Sequence, residues 1–311
     1  KVTEEGKVAV SGALLNNFLG LVLDGDVLKI ATVNDNLALT TRSSSSLIKC
    51  LPADDFPTIP HVSDAVTFTI PGPKLVSGLK SVVYAAALSD MKPEIASVYL
   101  YQDASDIVFV ATDSFRLAEK RWDHKGKQGN DTLAVIIPYK NVLELTRIFE
   151  GCTDAVTVHY SKHQMSCTAA GTGLYATTRL VGGVFPNYQQ IVSSEKKTEV
   201  VVAKKELVQA LKLATVFADK HNQVTFRIMP QEGMCEISTK NNDTGENTTH
   251  LEATVEGEDI TVAFNNKYIL DCFSSIAEDT LSLSFNGAHR PMVIRGMGDP
   301  SFFYLVMPLN R

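Results

Sequence analysis

One polar turn between two apolar segments carries the residues of this sequence that are best suited to binding another molecule. The segment FVATDSFRL, residues 109–117, starts as a buried strand, turns at a polar triplet and ends on Phe115, Arg116 and Leu117. Two large apolar side chains around one cation are typical of the lip of a docking pocket. The segment also fits an ordinary hairpin in which Asp113 caps the turn through its own backbone. Docking and simple capping are both compatible with these residues.

Sequence patterns for catalysis are weaker than the pattern for docking at residues 109–117. The sequence has no GxxxxGK[ST] phosphate loop, no HExxH and no GxSxG. Gly171, Gly173 and Ala176 fit the dinucleotide fingerprint GxGxxA, so a nucleotide-dependent enzyme is an alternative, although the next residues favour a strand over the helix that the fingerprint requires. His159 and His163 are four residues apart across a predicted turn, which favours a surface pair over a metal site. We therefore expect no enzymatic activity, no cofactor and no metal.

The composition is that of a folded protein with well-formed cores. The 311 residues are 44% hydrophobic and 21% charged, and this length corresponds to two or three domains. Five cysteines lie far apart without a CxxC pair, which is typical of buried thiols in a cytoplasmic protein. No apolar run approaches the length that spans a membrane. Because the net charge is -6, contact with DNA requires a local basic face.

A strand followed by the start of a helix recurs three times. The last strand residues are Val10, Ile137 and Phe264, at equal intervals, since 137 − 10 = 127 and 264 − 137 = 127. A second strand and helix, residues 68–80, recurs at residues 200–212, and its counterpart in the first copy would precede residue 1. The repeats predict three domains, the first without its front half. The predicted domains are residues 1–62, 63–192 and 193–311.

Each complete repeat contains the same order of elements two times, namely a strand, a helix and several strands. This order predicts an α+β fold dominated by antiparallel sheet. Apolar residues at helical spacing mark helices at residues 73–86 and 204–217. Lysines on a helix usually form a solvated surface. In an acidic chain, their recurrence on equivalent helices also fits a surface kept positive for phosphates. The lysines on these and the other repeat helices are Lys74, Lys80, Lys140, Lys205, Lys212 and Lys267.

Together these segments resemble the bacterial sliding clamps, the DNA polymerase III beta subunit family. The resemblance covers essentially the whole chain and implies repeated clamp domains with antiparallel sheets outside and helices inside, the first domain being incomplete. It implies a head-to-tail homodimer that closes a ring around double-stranded DNA without sequence preference. The most specific matches are LPADDFP at residues 51–57, ATDSFRL at 111–117, RLVGGVFPNY at 179–188 and YLVMPLNR at 304–311.

The resemblance also implies a function without catalysis. A clamp is a processivity factor that tethers the DNA polymerase III catalytic subunit, the clamp loader and repair enzymes through short peptide motifs, and it has no membrane partner. A monomeric peptide-binding scaffold is the alternative for this chain, because the front of its first domain is absent.

A pocket for partner peptides is implied as well. Ser114 and Phe115 replace the usual glycine and histidine, and Gln190 replaces a usual arginine, so we expect a more apolar and less cationic pocket. We also expect a cavity between Phe115 and Met307. The implied pocket residues are Ile95, Thr112, Ser114, Phe115, Arg116, Leu117, Pro186, Gln190, Ile191, Asn265, Tyr268, Leu305, Met307, Pro308 and Leu309.

Other residues are implied to contact DNA and the second subunit. The DNA-facing residues are Lys74, Lys80, Lys92, Lys140, Lys205, Lys212 and Lys267. The subunit junction joins Leu47 and Ile48 of one subunit to Thr215, Val216 and Phe217 of the next.

Overall fold

The computed structural model describes residues 2–23, 25, 27–58, 62, 66–124, 133–192 and 195–309, so the last two residues of the YLVMPLNR match, Asn310 and Arg311, lie outside the described residues. The chain divides into two compact units, residues 1–60 and 61–311. Within the described ranges, no helix is both long and apolar enough to cross a membrane.

The first unit is a short helix and a three-stranded antiparallel meander. Its elements are α1 (Gly12–Leu19), β1 (Lys29–Val33), β2 (Asn36–Thr40) and β3 (Ser45–Ile48), followed by a 3-10 turn at Ala53–Asp55. The side chain of Ser11 accepts a hydrogen bond from the backbone N–H of Leu14, which satisfies one free donor in the first turn of α1. Leu37, Leu39 and Ile48 form the small core.

The second unit contains two successive copies of nearly the same element order. The first copy has β4 (Val66–Pro71), α2 (Gly72–Val82), β5 (Ser97–Asp103), β6 (Asp106–Thr112), β7 (Arg116–Asp123), β8 (Ala134–Pro138), α3 (Tyr139–Ile148), β9 (Ala155–Tyr160), β10 (Gln164–Ala169) and β11 (Leu174–Arg179). The second copy has β12 (Thr198–Ala203), α4 (Lys204–Val216), β13 (Gln223–Met229), β14 (Met234–Asn241), β15 (Gly245–Leu251), β16 (Ala253–Gly257), β17 (Ile260–Asn265), α5 (Asn266–Asp271), β18 (Thr280–Phe285), β19 (Met292–Gly296) and β20 (Phe302–Val306). Short 3-10 turns lie at Val83–Ala85, Tyr188–Ile191, Pro230–Glu232 and Cys272–Ser275.

In each copy, the strand that precedes one helix pairs with a strand that follows the other helix of that copy. In the first copy β4 precedes α2 in the chain but pairs with β9, whereas β8 pairs with β5. In the second copy β12 pairs with β18, and β17 pairs with β13. The sheets have the orders β11-β10-β9-β4, β16-β12-β18-β19-β20-β7-β6-β5-β8 and β15-β14-β13-β17. These antiparallel sheets with few helices confirm the predicted α+β class.

The repeat spacing is present in the structure. Helices α1, α3 and α5 begin at Gly12, Tyr139 and Asn266, since 139 − 12 = 127 and 266 − 139 = 127. The predicted boundary between residues 192 and 193 follows the 3-10 turn at Tyr188–Ile191, but the nine-stranded sheet continues across it through the β7–β20 pair. The two copies therefore share one sheet.

The nine-stranded sheet has two differently covered faces. Phe109 belongs to the main core with the buried residues of α2, whereas its neighbours Val108 and Val110 point to the opposite face, as alternation along a strand requires. On that opposite face they pack with Phe185 and Tyr188 from residues 180–192, which we call the connector. A Cβ on Gly78 of α2 would lie 2.5 Å from the Phe109 ring, so glycine permits this close packing of helix on sheet.

Candidate peptide-binding groove and lysine-bearing helices

The turn between β6 and β7 is built by its own polar side chains. The Oδ1 atom of Asp113 accepts hydrogen bonds from the backbone N–H groups of Phe115 at 2.9 Å and Arg116 at 3.0 Å. The hydroxyl of Thr112 accepts one from the N–H of Ser114 at 3.2 Å. Ser114 has φ 78°, a left-handed conformation that favours glycine. The capping role of Asp113 is confirmed, and the hydroxyl of Thr112 binds the backbone of Ser114 in this left-handed conformation.

Arg116 is buried and paired with carboxylates, so it is not an exposed, unpaired cation at the lip of a pocket. Its Nε lies 2.9 Å from Oδ2 of Asp113, and its Nη1 lies 2.5 Å from Oδ2 of Asp271. The guanidinium also sits 4.5 Å above the ring centroid of Tyr268, and the residue is 9% exposed. Burial alone would lower the pKa of Arg116, but Tyr304 and the two carboxylates raise it overall, so the side chain stays charged. Arg116 thus links the turn to α5.

The β7–β20 pair brings the Phe115 turn beside the end of the chain. Leu117 pairs with Leu305, and the backbone N–H of Met307 donates to the carbonyl oxygen of Phe115 at 2.8 Å. Phe115 is 60% exposed, whereas Met307 is half-buried against the cluster below the connector. The N–H of Leu309 then donates to the carbonyl oxygen of Ala263 at 2.8 Å, which fixes the tail against β17. Phe115 and Met307 are therefore neighbours, as expected.

Several implied pocket residues form the support of this surface, not its exposed wall. Leu117 and Leu305 have no exposed surface and belong to the cluster under the connector. Ile95 and Pro308 are also buried. Asn265 caps α5, because its Oδ1 accepts the N–H of Tyr268 at 3.3 Å. Sequence alone does not separate these supports from exposed residues, since both kinds are apolar or small.

The connector carries the implied pocket residues Pro186, Gln190 and Ile191. The ring of Phe185 stacks on Tyr99 with centroids 4.9 Å apart, and the hydroxyl of Tyr188 donates to Oε2 of the buried Glu119. Burial raises the pKa of Tyr188, and so does the carboxylate of Glu119, so this hydroxyl keeps its proton. These anchors lead to the 3-10 turn that exposes Gln190 and Ile191. Pro186 is exposed one residue after Phe185.

A cavity of about 380 Å³ lies at this end of the connector. It includes Gln190 and Ile191 but neither Phe115 nor Met307, so it is not the cavity expected between those two residues. Pro291 and Val293 also line it, and sequence reasoning missed both. Val293 is revealed only by strand register, because it pairs with Leu305 on β20. Pro291 directly precedes β19. Val293 and Met307 pack on the same cluster, which connects the cavity to the Phe115 turn along one sheet face.

The glycines and histidines of the weaker chemical alternatives lie in hairpin turns and strands. Gly171 and Gly173 form the hairpin turn between β10 and β11, and the strand that follows excludes the helix of a dinucleotide fingerprint. His159 lies near the end of β9, just before the predicted turn. Its Nδ1 lies 3.1 Å from the hydroxyl oxygen of Thr67. In the part of the chain that the structure describes, no group of three His, Cys, Asp or Glu residues could hold a metal ion.

Two family models match consecutive parts of this chain. The model described as the central domain of the DNA polymerase III beta subunit matches residues 69–187, and the model of its C-terminal domain matches residues 189–310. Together they cover most of the 311 residues. The chain belongs to the DNA polymerase III beta subunit family. Sliding clamps of this family are non-enzymatic processivity factors, and we assign the chain no catalytic role.

Individual relatives agree with the family models. The beta sliding clamp of Synechocystis is 28% identical over 329 residues, which covers 99% of this chain and 83% of that protein. The beta sliding clamp of Bacillus subtilis is 28% identical over 263 residues, 84% of this chain and 68% of that protein. The crystal structure of the Thermotoga maritima beta subunit matches with a TM-score of 0.91 at 26% identity, covering 100% of this chain and 83% of that one. A Pseudomonas aeruginosa sliding clamp bound to griselimycin has the same fold, with a TM-score of 0.92 at 22% identity.

Contacts and hydrogen bonds join helices α2 to α5 of the second unit into one layer. Helices α2 and α3 are in contact, and so are α4 and α5. The hydroxyl of Ser275, in the turn after α5, donates to the carbonyl oxygen of Ser81 on α2 at 3.1 Å. Asn266 ties α5 to the end of α4, because its buried side chain donates to the carbonyl oxygen of Leu211 at 2.8 Å. The layer therefore runs across both copies.

All seven lysines that were expected to face DNA are exposed. Lys80 is paired with Glu150 at 2.6 Å, and Lys140 lies 3.4 Å from Asp90. The sequence interpretation missed these acids, because they come from neighbouring elements and not from the lysine's own helix. For Lys74, Lys92, Lys205, Lys212 and Lys267, the described residues supply no ion-pair partner.

The residues expected at a subunit junction differ in exposure. Leu47 and Val216 are exposed large apolar residues. Ile48 is buried in the core of the first unit, so its side chain is not available for another subunit in this structure. The hydroxyl of Thr215 donates to the carbonyl oxygen of Leu211 at 2.9 Å, and Phe217 is half-buried.

Proposed function

We propose that this chain is a DNA sliding clamp, a processivity factor that encircles duplex DNA and tethers other DNA enzymes. In this proposal two copies associate head to tail, and the chain acts in the cytoplasm on double-stranded DNA without sequence preference. The DNA polymerase III catalytic subunit, the clamp loader and repair enzymes bind through short peptides. Family membership and the names of the relatives support this function over a monomeric scaffold.

The observation that carries the proposal is the separation of two surfaces by one sheet. Lysine-bearing helices cover one face of the nine-stranded sheet, and the connector and the Phe115 turn lie on the other. A protein built this way can contact DNA and a partner enzyme at the same time, because the two ligands approach from opposite sides. That is the requirement for a tether.

The helix layer suits weak contact with the phosphate backbone. Its exposed lysines Lys74, Lys205, Lys212 and Lys267 have no carboxylate partner among the described residues and can therefore attract phosphates, and so can Lys92 in the loop before β5. Phosphate contacts do not read sequence, and a net charge of -6 limits nonspecific adhesion elsewhere on the chain. We infer that the protein is held on DNA by encirclement, with electrostatic contacts weak enough for sliding.

The opposite face suits an extended peptide with apolar anchors. Phe115 is exposed beside the half-buried Met307, which packs on the buried cluster below, and Ile191 is exposed on the connector. Leucine or phenylalanine side chains of a partner would remove this apolar surface from water, and a few such anchors usually dominate a peptide interface. The residues we propose for the groove are those implied by the resemblance, with Leu117 and Leu305 as its floor, together with Pro291 and Val293.

Encirclement is tested by the topology of the DNA. The full-length protein is loaded by a clamp loader on nicked circular DNA, and the circle is then cut once. We expect the protein to leave the linear DNA by sliding off its ends, and to remain when both ends carry a bound protein block. Equal retention on open linear and circular DNA would contradict encirclement.

Ring closure is tested by the second subunit. Head-to-tail contact closes a ring of two copies when the rotation between them is 180°, whereas a rotation that does not close produces filaments. We expect a dimer by sedimentation equilibrium, which Val216→Asp weakens because it places a charge on an exposed apolar residue of the proposed junction. A protein that is monomeric at every concentration would favour the scaffold alternative.

A further inference from the structure

One arginine beside the connector lacks a carboxylate partner. On β19, Met292 and Ile294 point into the main core, so Val293 and Arg295 point to the connector face. The guanidinium of Arg295 lies 4.8 Å from the ring centroid of Phe303, and the residue is half-buried. No carboxylate of the described ranges forms an ion pair with it. A partly desolvated guanidinium gains more from a carboxylate ligand than an exposed one does, because water competes less.

The nearest buried carboxylate is already engaged. Glu119 accepts hydrogen bonds from Tyr188 and, at 2.6 Å, from Nε of Arg121. Burial lowers the pKa of Arg295, and Arg121 lowers it further, which outweighs the opposite effect of Glu119. Arg295 therefore lies close to this network without a direct bond to it.

Arg295 lines the cavity of about 380 Å³, and so do Gln190 and Ile191 of the proposed groove. Lys196 and Arg290 line the same cavity, and Glu195 is its acidic residue. Lys196 is 3.0 Å from Glu199, whereas Arg290 is exposed. Cationic groups therefore outnumber acidic ones where the connector ends, next to apolar Ile191, Pro291 and Val293.

We propose that this cavity is a subsite for an acidic side chain of the partner peptide, with Arg295 as the group that binds its carboxylate. The subsite rests on the proposed function, because it extends the same groove. Arg295 is a specificity-determining residue here: apolar anchors hold the peptide near Phe115 and Met307, and an aspartate or glutamate outside those anchors reaches the cavity. The stacking of Arg295 on Phe303 fixes the plane of the guanidinium, which favours a bidentate contact with a carboxylate.

The test uses pairs of fluorescein-labelled peptides with the same leucine and phenylalanine anchors. Each pair carries aspartate or asparagine at one position outside the anchors, and affinity is measured by fluorescence anisotropy with the intact protein. At one position we expect the aspartate peptide to bind about tenfold more tightly, which is about 1.4 kcal/mol. Arg295→Gln should bring this ratio close to one. Arg295→Lys should give an intermediate ratio, since it keeps the charge without the planar fork.

Arg227→Gln is the matched control, because Arg227 is exposed on β13 and does not line the cavity. It should leave the aspartate preference intact. An aspartate preference that is equal in wild type and Arg295→Gln would overturn the subsite, and so would a wild-type scan without any acidic preference. Thermal unfolding of each variant shows whether loss of stacking has unfolded it, and the wild-type scan remains decisive in that case. If no peptide binds, neutral or acidic, the proposed function fails together with the subsite.

Discussion

The buried carboxylate of Glu119 allows a quantitative test of how the groove is held. Glu119 lies on β7 opposite Phe303 of β20, with its side chain 4% exposed. It accepts hydrogen bonds from Tyr188 of the connector and from Arg121. Glu119→Gln keeps the size of the side chain and removes its charge. The substitution therefore weakens the bond between the connector and the shared sheet without touching an exposed groove residue.

The expected cost follows from the partners that remain. A hydrogen bond to a buried charged group contributes about 1.5–3 kcal/mol, and removing one member of a buried ion pair costs about 3–5 kcal/mol. Arg121 keeps two other carboxylates, Asp103 at 2.9 Å and Asp106 at 3.6 Å, so its charge is not left unpaired. We therefore expect the free energy of unfolding to fall by about 2 kcal/mol. The lower value applies because glutamine keeps one of the two acceptor oxygens, so only one of the two hydrogen bonds to residue 119 loses its acceptor.

Urea unfolding followed by circular dichroism measures this loss, and fluorescence anisotropy with an anchored peptide measures its effect on the groove. Peptide affinity should fall several-fold, because the connector turn at residues 188–191 is less well fixed. Tyr188→Phe alone and combined with Glu119→Gln completes a double-mutant cycle, in which we expect a coupling of at least about 1 kcal/mol. Glu256→Gln is the matched control, because Glu256 is exposed on β16.

A result within about 0.5 kcal/mol of wild type for Glu119→Gln would refute this reasoning, since changes of that size are typical of surface substitutions. Additive effects of the two substitutions would contradict the direct bond between Glu119 and Tyr188.

Three further predictions concern the groove, the helix layer and the core. Met307→Ala combined with Leu309→Ala should weaken binding of a leucine- and phenylalanine-anchored peptide by about 2 kcal/mol in anisotropy titrations, because both lie on the proposed groove. Lys205→Gln with Lys212→Gln should lower the slope of log K against log salt for DNA by up to about 2, since each lysine that contacts a phosphate contributes about 1. Gly78→Ala should lower the free energy of unfolding by about 1–3 kcal/mol, because its new methyl group meets a buried ring.

Each of these has a control of similar chemistry. Leu213→Ala removes an exposed leucine of α4 and should not change peptide affinity. Lys240→Gln changes a lysine on β14 that pairs with Glu246, and should leave DNA binding unaltered. Ser77→Ala adds no atoms next to Gly78 and should preserve stability. Unchanged peptide affinity in the Met307 and Leu309 variant would remove that part of the groove, and an unchanged salt slope would remove the two lysines from the DNA contact.

The repeat and the local structure were predictable because they depend on short-range patterns. The interval of 127 residues marks the starts of α1, α3 and α5, and alternation along residues 109–112 identifies β6. Asp113 was predictable as a turn cap for the same reason, since its hydrogen bonds reach only two and three residues ahead. Strand propensity also predicted correctly that a strand, and not a helix, follows Gly173.

Long-range pairing was not predictable from these patterns. The exchange of β4 and β8 between sheets, and the β7–β20 pair that joins the copies, depend on contacts between residues far apart in the chain. The same limit explains why Glu150 and Asp90 were missed as partners of lysines. Local patterns likewise do not show that Ile48, which the resemblance assigns to a subunit junction, packs with Leu37 and Leu39.

The departure at residues 114 and 115 shows how the turn separates backbone geometry from binding preference. The left-handed backbone of Ser114 is held by the hydroxyl of Thr112 and bracketed by the Asp113 bonds, none of which involves the side chain of Phe115. That side chain is 60% exposed, so it contributes little to the core. An aromatic residue here costs the fold little and offers apolar area to a ligand. We therefore expect variation at position 115 to change which peptides bind, while Asp113 and Arg116 keep the turn in place.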